Sequence, residues 1–251
     1  MSLLSPSVRI ALTPNRVAVA AGSDRSEAAV ATPGWAGALE QLPALLASAR
    51  PRGRASVTLS HHFAQVHLLP SPPVALKPIE LQGWIRDQLA RQFGEVGRDW
   101  RVAWQAEPPG ASFLAASVEP ARLAELDGVL AAASLKAATV QPWLVGAWNR
   151  QRRRLGRGRA WLALAEPGRL TLLGLADGHA ICLRSMPAQD DPGAALAGLM
   201  TREALLAGEE TPAPLWIESA GVHADWQAAA GGHSVQVLPA GRTALDPMLE
   251  T

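Results

Sequence analysis

The sequence of 251 residues contains a single cysteine, Cys182, and no tyrosine. One cysteine cannot form an intramolecular disulfide or a multi-thiolate metal site, which suits a reducing compartment. No stretch reaches the roughly 18 to 20 uninterrupted apolar residues of a membrane-spanning helix, and the N-terminus lacks the charged segment and apolar core of a signal peptide. We therefore expect a soluble, cytoplasmic protein.

Charge of one sign is not in excess, since 23 Lys and Arg face 22 Asp and Glu and the formal net charge is +1. No global field attracts nucleic acid or an anionic membrane, so any such binding has to be local. Neither of the two lysines, Lys77 and Lys136, follows a glycine, which excludes a Gly-Lys phosphate loop.

Candidate catalytic and metal-binding residues are also few. His61, His62 and His67 are close in sequence, but adjacent histidines on a strand point to opposite faces, and no carboxylate or thiolate lies nearby. We expect them at a solvent-exposed strand end rather than around a metal. Cys182 and His179 share a predicted strand without any nucleophile-elbow motif, so we expect a buried structural thiol.

The first half begins with strands. Apolar runs at Val8–Leu12 and Arg16–Ala21, separated by Thr13-Pro14-Asn15, predict a hairpin. A third strand is predicted over 27–32, and Thr32-Pro33 predicts the start of a helix that Pro43 should kink or divide. Strands at 56–60 and 65–69 follow.

The second half repeats this order. Strand-like runs cover 160–165, 169–175 and 179–186, followed by a helix over 192–207 that Gly208 ends, a strand at 215–218, a short helix near 224–230 and a strand at 234–238. The repetition predicts two related α/β lobes.

An insertion from 70 to about 136 interrupts the first half. Leu81, Trp84, Ile85, Leu89 and Phe93 lie on one face of a predicted helix that begins at Pro78 and ends at Gly94. Strands containing Trp100 to Trp104 and Phe113 to Val118, and a helix after Pro120, complete a predicted insert of two helices on a small sheet.

A helix from Pro142 leads into a basic stretch that we expect to be the hinge between the lobes. Its arginines are Arg150, Arg152, Arg153, Arg154, Arg157 and Arg159. Cations at a helix C-terminus and in a solvated loop explain this stretch; attraction to an anionic lipid or acidic partner is the alternative.

Nine tryptophans stand out beside the absence of tyrosine. Trp84, Trp100, Trp104 and Trp148 fit inward-facing patterns, which favours core packing. The alternative is that one or two of them line a groove for a partner peptide.

The order of elements resembles the actin-like (ribonuclease H-like) two-lobed fold, with an α+β insertion in the first lobe. More narrowly, Val66–Pro70 leading into Ile79–Phe93, the run Leu123–Leu130, and Val140–Leu144 resemble PilM of type IV pilus machines and the cytoplasmic parts of GspL and MshI of type II secretion and related pili. The run Ala176–Met186 is similar to the second-lobe hairpin of this family. The resemblance implies a first lobe at 1–154 with an inserted subdomain at 70–136, and a second lobe at 155–251.

Nucleotide-binding members of the superfamily place an Asp and a Gly at the first hairpin of each lobe. Here Ala11 and Thr13 occupy those positions in the first lobe, and Leu164 and Glu166 occupy them in the second. Only Gly221 remains of the family's adenosine-contacting glycine pair. We therefore expect no cofactor, no metal and no enzymatic activity.

The function that the resemblance implies is a noncatalytic scaffold of a type IV pilus or type II secretion inner-membrane platform. It would bind the cytoplasmic tail of a PilN-like membrane protein, contact the assembly ATPase, and meet the membrane only through these partners; a homodimer is compatible with it. An ATP-dependent enzyme of the actin-like kinase superfamily is the alternative, and a nucleic-acid or membrane-surface binder acting through the arginines is the third. With no span after residue 240, the chain is either a PilM-like soluble form or a piece of a membrane-anchored protein.

The resemblance implies a tail-binding groove between the first lobe and its insert, bordered by the Val66–Pro70 strand and the Ile79–Phe93 helix. An extended tail could add along an exposed strand edge there. The predicted partner-binding residues are Val66, Leu68, Pro70, Gln82 and Arg86.

Overall fold

A computed structural model describes residues 8–105, 110–155, 158–188, 190–207, 212–238 and 243–250. The chain divides into two compact units, and the division falls between Trp143 and Leu144. The lobe boundary at residue 154 stays a prediction. Arg157 of the basic stretch and Gly208, the expected helix end, lie outside the described residues.

The first unit contains two sheets and four helices among its described residues. Its elements are β1 (Val8–Leu12), β2 (Arg16–Ala21), β3 (Asp24–Ala29), α1 (Trp35–Ala49), β4 (Gly53–Leu59), β5 (Gln65–Leu69), α2 (Pro78–Phe93), α3 (Glu95–Asp99), β6 (Arg101–Trp104), β7 (Phe113–Val118), α4 (Pro120–Ala132) and β8 (Leu135–Pro142). The larger sheet has the order β3-β2-β1-β4-β8, with β1 antiparallel to β2 and parallel to β4. This confirms the predicted hairpin.

The turn of that hairpin is closed by Thr13. Its hydroxyl donates to the Arg16 carbonyl at 2.9 Å and accepts the Arg16 N–H at 3.0 Å. Helix α1 begins at Trp35, behind Gly34, rather than at the predicted Thr32-Pro33. Pro43 lies inside α1 without dividing it, so the element is one helix.

Helices α1 and α4 together cover one face of the larger sheet. Leu42 and Leu46 of α1 and Leu126 and Leu130 of α4 are almost fully buried in the same core as the sheet residues. The prediction that the helix after Pro120 packs on the small sheet was therefore wrong, because its apolar residues face the larger one.

The small sheet has the order β5-β7-β6 and is covered by α2. Ile85 and Leu89 of the helix are fully buried against Phe113. Trp84 and Trp104 pack against this cluster as predicted, although each is only half-buried. The rings of Trp84 and Phe113 lie with centroids 6.1 Å apart.

Helix α5 (Trp143–Gln151) begins at the division between the units, and the second unit then repeats the topology of the first. Its elements are β9 (Arg159–Glu166), β10 (Gly168–Ala176), β11 (His179–Ala188), α6 (Pro192–Ala207), β12 (Leu215–Ser219), α7 (Trp226–Ala229), β13 (Val235–Val237) and α8 (Asp246–Leu249). The sheet order is β11-β10-β9-β12-β13, with β9, β12 and β13 parallel. The predicted internal repeat is confirmed. In the described part of the chain, no helix is long and apolar enough to cross a membrane.

Candidate partner-binding groove

Two sheet edges in the first unit lie beside one cavity. Within the described residues, β8 pairs only with β4, and β6 pairs only with β7. Such an edge exposes a row of backbone N–H and C=O groups to any extended chain that approaches it. Both strands line the same cavity, whose volume is about 530 Å³. We call this cavity the edge groove.

Small apolar side chains dominate the lining of the edge groove. Alanines come from the small sheet, from α4 and from β8, and they include Ala103, Ala116, Ala131, Ala137 and Ala138. Because alanine fills little volume, the apolar space remains open to side chains of a bound segment. A cavity of this size falls within the range of ordinary ligand pockets.

A β-bulge shapes the β8 edge. The register passes from Ala55 opposite Ala137 to Ser56 opposite Thr139, so that Ala138 is the extra residue. The Ser56 and Thr139 hydroxyls lie 2.7 Å apart and hold the strands together beyond the bulge. Bulges at sheet edges bend the strand and interrupt regular pairing, and they are frequent beside binding sites.

The charged side chains on the lining are Arg101, Lys136 and Asp127, all of them exposed. Arg54 is the register neighbour of Lys136 on the adjoining strand and is exposed as well. Cations therefore outnumber carboxylates around the groove, although the sequence as a whole is nearly neutral.

The structure does not bring all five predicted partner-binding residues together. Val66 and Leu68 lie on β5, half-buried, on the face opposite to the one that α2 covers. Pro70 follows β5 and is exposed, while Gln82 and Arg86 lie half-buried on α2. None of the five lines the edge groove. Their role in partner binding stays a prediction.

Val66 is nevertheless connected to the edge groove through the small sheet. Val66 pairs with Ala116 of β7, and Ala116 pairs with Ala103 of β6. Ala116 and Ala103 both line the groove. The predicted β5 residues thus share a sheet face with it, one strand further away.

Sequence reasoning missed the residues of the edge groove. Ala103, Ala116 and Ala138 carry no chemical signal in a sequence, and their arrangement follows from the pairing of two different sheets. The usable signal was the apolar segment 135–142, which can form a strand. The sequence of the first half offers no further strand to pair with the outer edge of this one.

The first hairpin of each unit contains the four residues that the sequence analysis compares with the phosphate-binding positions of actin-like proteins. Thr13 uses its hydroxyl within its own turn, and Ala11 is a fully buried strand residue. Leu164 is buried in β9, and Glu166 at the end of that strand is 2% exposed. Three of these four residues therefore belong to the sheets, and Thr13 belongs to the hairpin turn.

The prediction of solvent-exposed histidines was wrong, because His61 and His67 are buried and His62 is half-buried. His61 and His62 lie in the turn between β4 and β5, and His61 is buried. His67 is buried on β5, with its Nε2 2.8 Å from the Ser117 hydroxyl and its ring stacked on Trp100. Burial lowers the pKa of His67 from 6.5 to about 4. Among the described residues, no group of three or more His, Cys, Asp and Glu could hold a metal ion.

Cys182 is buried, as predicted. Burial, followed by the hydrogen bond that the thiol donates to Glu203 at 3.0 Å, raises the pKa of Cys182 to about 12. Burial opposes ionisation of Glu203, but the hydrogen bonds from Cys182 and Arg184 outweigh it and lower the pKa of that carboxyl. A thiol held protonated in this way is a poor nucleophile.

The described arginines of the basic stretch differ in their surroundings. Arg150 donates to the buried carboxylate of Glu218 at 2.6 Å and to the Pro247 carbonyl at 2.8 Å, so it is a structural cation. Arg152, Arg153 and Arg154 are exposed in the turn after α5.

Comparison with known structures identifies the fold. The cytoplasmic domain of EpsL, an inner-membrane component of the type II secretion system of Vibrio cholerae, matches with a TM-score of 0.62 and 14% identity over 97% of this chain and 93% of its own. A PilM-PilN type IV pilus biogenesis complex matches with a TM-score of 0.65 and 11% identity over 97% and 90%. A Bacteroides thetaiotaomicron protein of unknown function with an actin-like ATPase fold matches with a TM-score of 0.62 and 8% identity over 97% and 95%.

At these identities the likeness establishes the fold, which is actin-like, and confirms the predicted fold class. No family model and no curated protein sequence matches the chain.

Proposed function

We propose that this chain is a noncatalytic cytoplasmic scaffold of a type IV pilus or type II secretion platform, and that it binds the cytoplasmic tail of a PilN-like inner-membrane protein. The observation that carries the proposal is the edge groove, where two strand edges with no outer partner strand among the described residues border an apolar cavity of about 530 Å³. The fold shared with the EpsL cytoplasmic domain and with PilM in its complex with PilN supports the same assignment.

The tail binds as an extended strand. Main-chain groups of β8 offer hydrogen bonds to it, and the bulge at Ala138 limits how far a regular ladder can extend. The alanines leave room for alternate apolar side chains of the tail, which enter the cavity. Affinity then comes from the backbone and selection from the pockets.

The five residues predicted from sequence remain part of the proposal as a second contact. Val66 and Leu68 continue the sheet face that begins at Ala103, so a tail longer than the groove could reach them. Gln82 and Arg86 belong to α2, on the other face, and would be reached only by a partner that wraps around the β5 edge.

The noncatalytic part of the proposal is supported by the two hairpins. Ala11 and Leu164 supply no carboxylate that could position a metal ion and its water, and Glu166 would repel phosphate rather than bind it. A calorimetric titration with ATP and magnesium should show no specific binding. A dissociation constant below about 10 μM would contradict this and favour the kinase-like alternative.

Membrane association in this proposal is indirect. The membrane partner holds the chain at the cytoplasmic face of the inner membrane, and contact with the assembly ATPase relays the state of the platform. The near-neutral charge gives the chain little electrostatic attraction to anionic lipid.

Capture of the membrane partner from detergent extract tests the groove. Ala103→Trp places a large side chain in the cavity at an exposed position, so it should abolish capture without affecting folding. Ala124→Trp on the exposed side of α4, away from the groove lining, is the matched control and should capture normally.

If Ala103→Trp does not reduce capture of the membrane partner, two further variants locate the contact. Loss of capture with Arg86→Glu would move the site to α2, as the sequence analysis predicts. Loss only when Arg152, Arg153 and Arg154 are neutralised together would assign the contact to the basic turn, and the groove proposal would be wrong.

A further inference from the structure

We propose that the exposed end of helix α6 in one copy of this chain docks into a groove between helices α1 and α4 of a second copy. This contact joins different surfaces of the two copies and therefore builds head-to-tail oligomers. The proposal does not depend on the tail-binding function, because it uses the outer helical layer rather than the sheet edges.

The acceptor is a cavity of about 990 Å³ between α1 and α4, which we call the helix groove. Its floor contains Leu39 and Leu46, and its exposed walls include Ala47 and Gly128. Helix α1 has one charged residue, Glu40, in its fifteen positions. A surface helix normally presents a charged or polar outer face, so this one is unusual in presenting small apolar side chains around an apolar groove.

The occupant we assign is the end of α6, where two adjacent large apolar residues are exposed. Leu205 is 78% exposed and Leu206 is 65% exposed. Arg202 lies one turn earlier and is exposed too. Residues three and four apart share a helix face, so Arg202, Leu205 and Leu206 form one apolar knob with a cation beside it.

Charge complementarity supports this knob as the occupant. The lining of the helix groove carries two carboxylates, Glu40 and Glu125, against one cation, Arg50. The indole N–H of Trp35 holds the Glu125 carboxylate at 2.7 Å. Arg202 complements this excess of carboxylates.

The contact is heterologous, since the knob and the groove are on different units of the chain. Each copy therefore keeps one unused knob or groove after binding, and assembly continues beyond the dimer unless a ring closes. The expected signature is an average mass that rises with concentration past two chains.

Analytical ultracentrifugation of the full chain tests this at concentrations up to about 1 mM, where a weak contact is populated. The wild type should exceed twice the 26.4 kDa of one chain, and added salt should reduce the association because the charges are exposed. The knob variant Leu205→Gln with Leu206→Gln should stay monomeric. Val96→Gln, at a residue 67% exposed elsewhere, is the matched control and should associate like the wild type.

A mixing experiment separates this geometry from a symmetric one. The groove variant Ala47→Lys with Gly128→Lys changes two exposed helix positions, and nothing lies within 4 Å of a Cβ at Gly128, so it should fold. Alone, it should be monomeric. Mixed with the knob variant, it should give a species of two chains and none larger, because one intact knob meets one intact groove.

Four results would overturn the proposal. Three of them are a wild type that stays monomeric at the highest concentration, a knob variant that associates like the wild type, and a mixture of the two variants that forms no dimer. A wild type that stops at a closed dimer would equally overturn it, since it would indicate a symmetric interface. Circular dichroism melting of each variant confirms that a monomeric result comes from a folded chain.

Discussion

Acidification should destabilise the protein through His67 before most carboxylates are protonated. The imidazole is buried beside the rings of Phe93 and Trp100, and its Nε2 lies 2.8 Å from the Ser117 hydroxyl. Burial lowers the pKa of His67 from 6.5 to about 4. Between these values the unfolded chain binds a proton at this site and the folded chain does not, so stability falls as pH falls.

The size of the effect follows from the two pKa values. Lowering the pH through the whole interval of about 2.5 pH units between the two pKa values should reduce the free energy of unfolding by roughly 3 kcal/mol, at about 1.4 kcal/mol per pH unit. Between about pH 8 and pH 5 the loss is roughly 2 kcal/mol, and it is nearly absent above about pH 7. This is a substantial part of the total stability of an ordinary domain.

Urea denaturation at several pH values measures this loss, provided that other titrating groups are subtracted. His67→Gln removes the titration and keeps a polar group that can meet Ser117. The wild type should therefore lose about 2 kcal/mol more than the variant on going from pH 8 to pH 5. Equal losses in the two proteins, or an imidazole that titrates near its ordinary pKa in the folded protein by NMR, would refute the reasoning.

Four further predictions concern packing and reactivity. Gly174→Ala should lower the free energy of unfolding, measured by urea denaturation, by about 1 to 3 kcal/mol, because the new Cβ would lie 2.6 Å from the Trp161 ring. Gly198→Ala, at an exposed helical position with open space, should instead raise it by about 0.5 to 1 kcal/mol. Cys182 should react with a thiol reagent only after unfolding, since its pKa is raised to about 12, and rapid labelling of the native protein would contradict this. Trp143→Ala should cost about 3 to 5 kcal/mol because the side chain is fully buried, and an unchanged denaturation midpoint would show that burial to be wrong.

Local sequence patterns predicted most of the elements because hairpins, helix starts and alternating strands are encoded within short stretches. The Thr13-Pro14-Asn15 turn and the repeated strand order were both recoverable in this way. The errors came where tertiary packing decides. The helix after Pro120 has an apolar face that suits either sheet, and only the assembled unit shows that Leu126 and Leu130 face the larger one.

The candidate site was harder to predict for a related reason. Val66 and Leu68 were chosen because a strand edge can accept a chain, and β5 is indeed an edge of the small sheet. The edge groove, however, forms where β6 of the small sheet and β8 of the larger sheet line the same cavity. The last residue of β6, Trp104, and the first residue of β8, Leu135, are 31 positions apart in the sequence. No short-range pattern contains that relation. His61 and His67 were misplaced because neighbouring residues in sequence indicate nothing about the layer that later covers them.

Site-specific photo-crosslinking in cells tests the central claim most directly. A photoreactive amino acid at Ala103, within the edge groove, should form an adduct with an inner-membrane protein that has a short cytoplasmic tail. The same amino acid at Ala124, outside the groove lining, should not. An adduct from position 124 or from Arg152 alone, with none from position 103, would contradict the assignment of the groove as the partner-binding site.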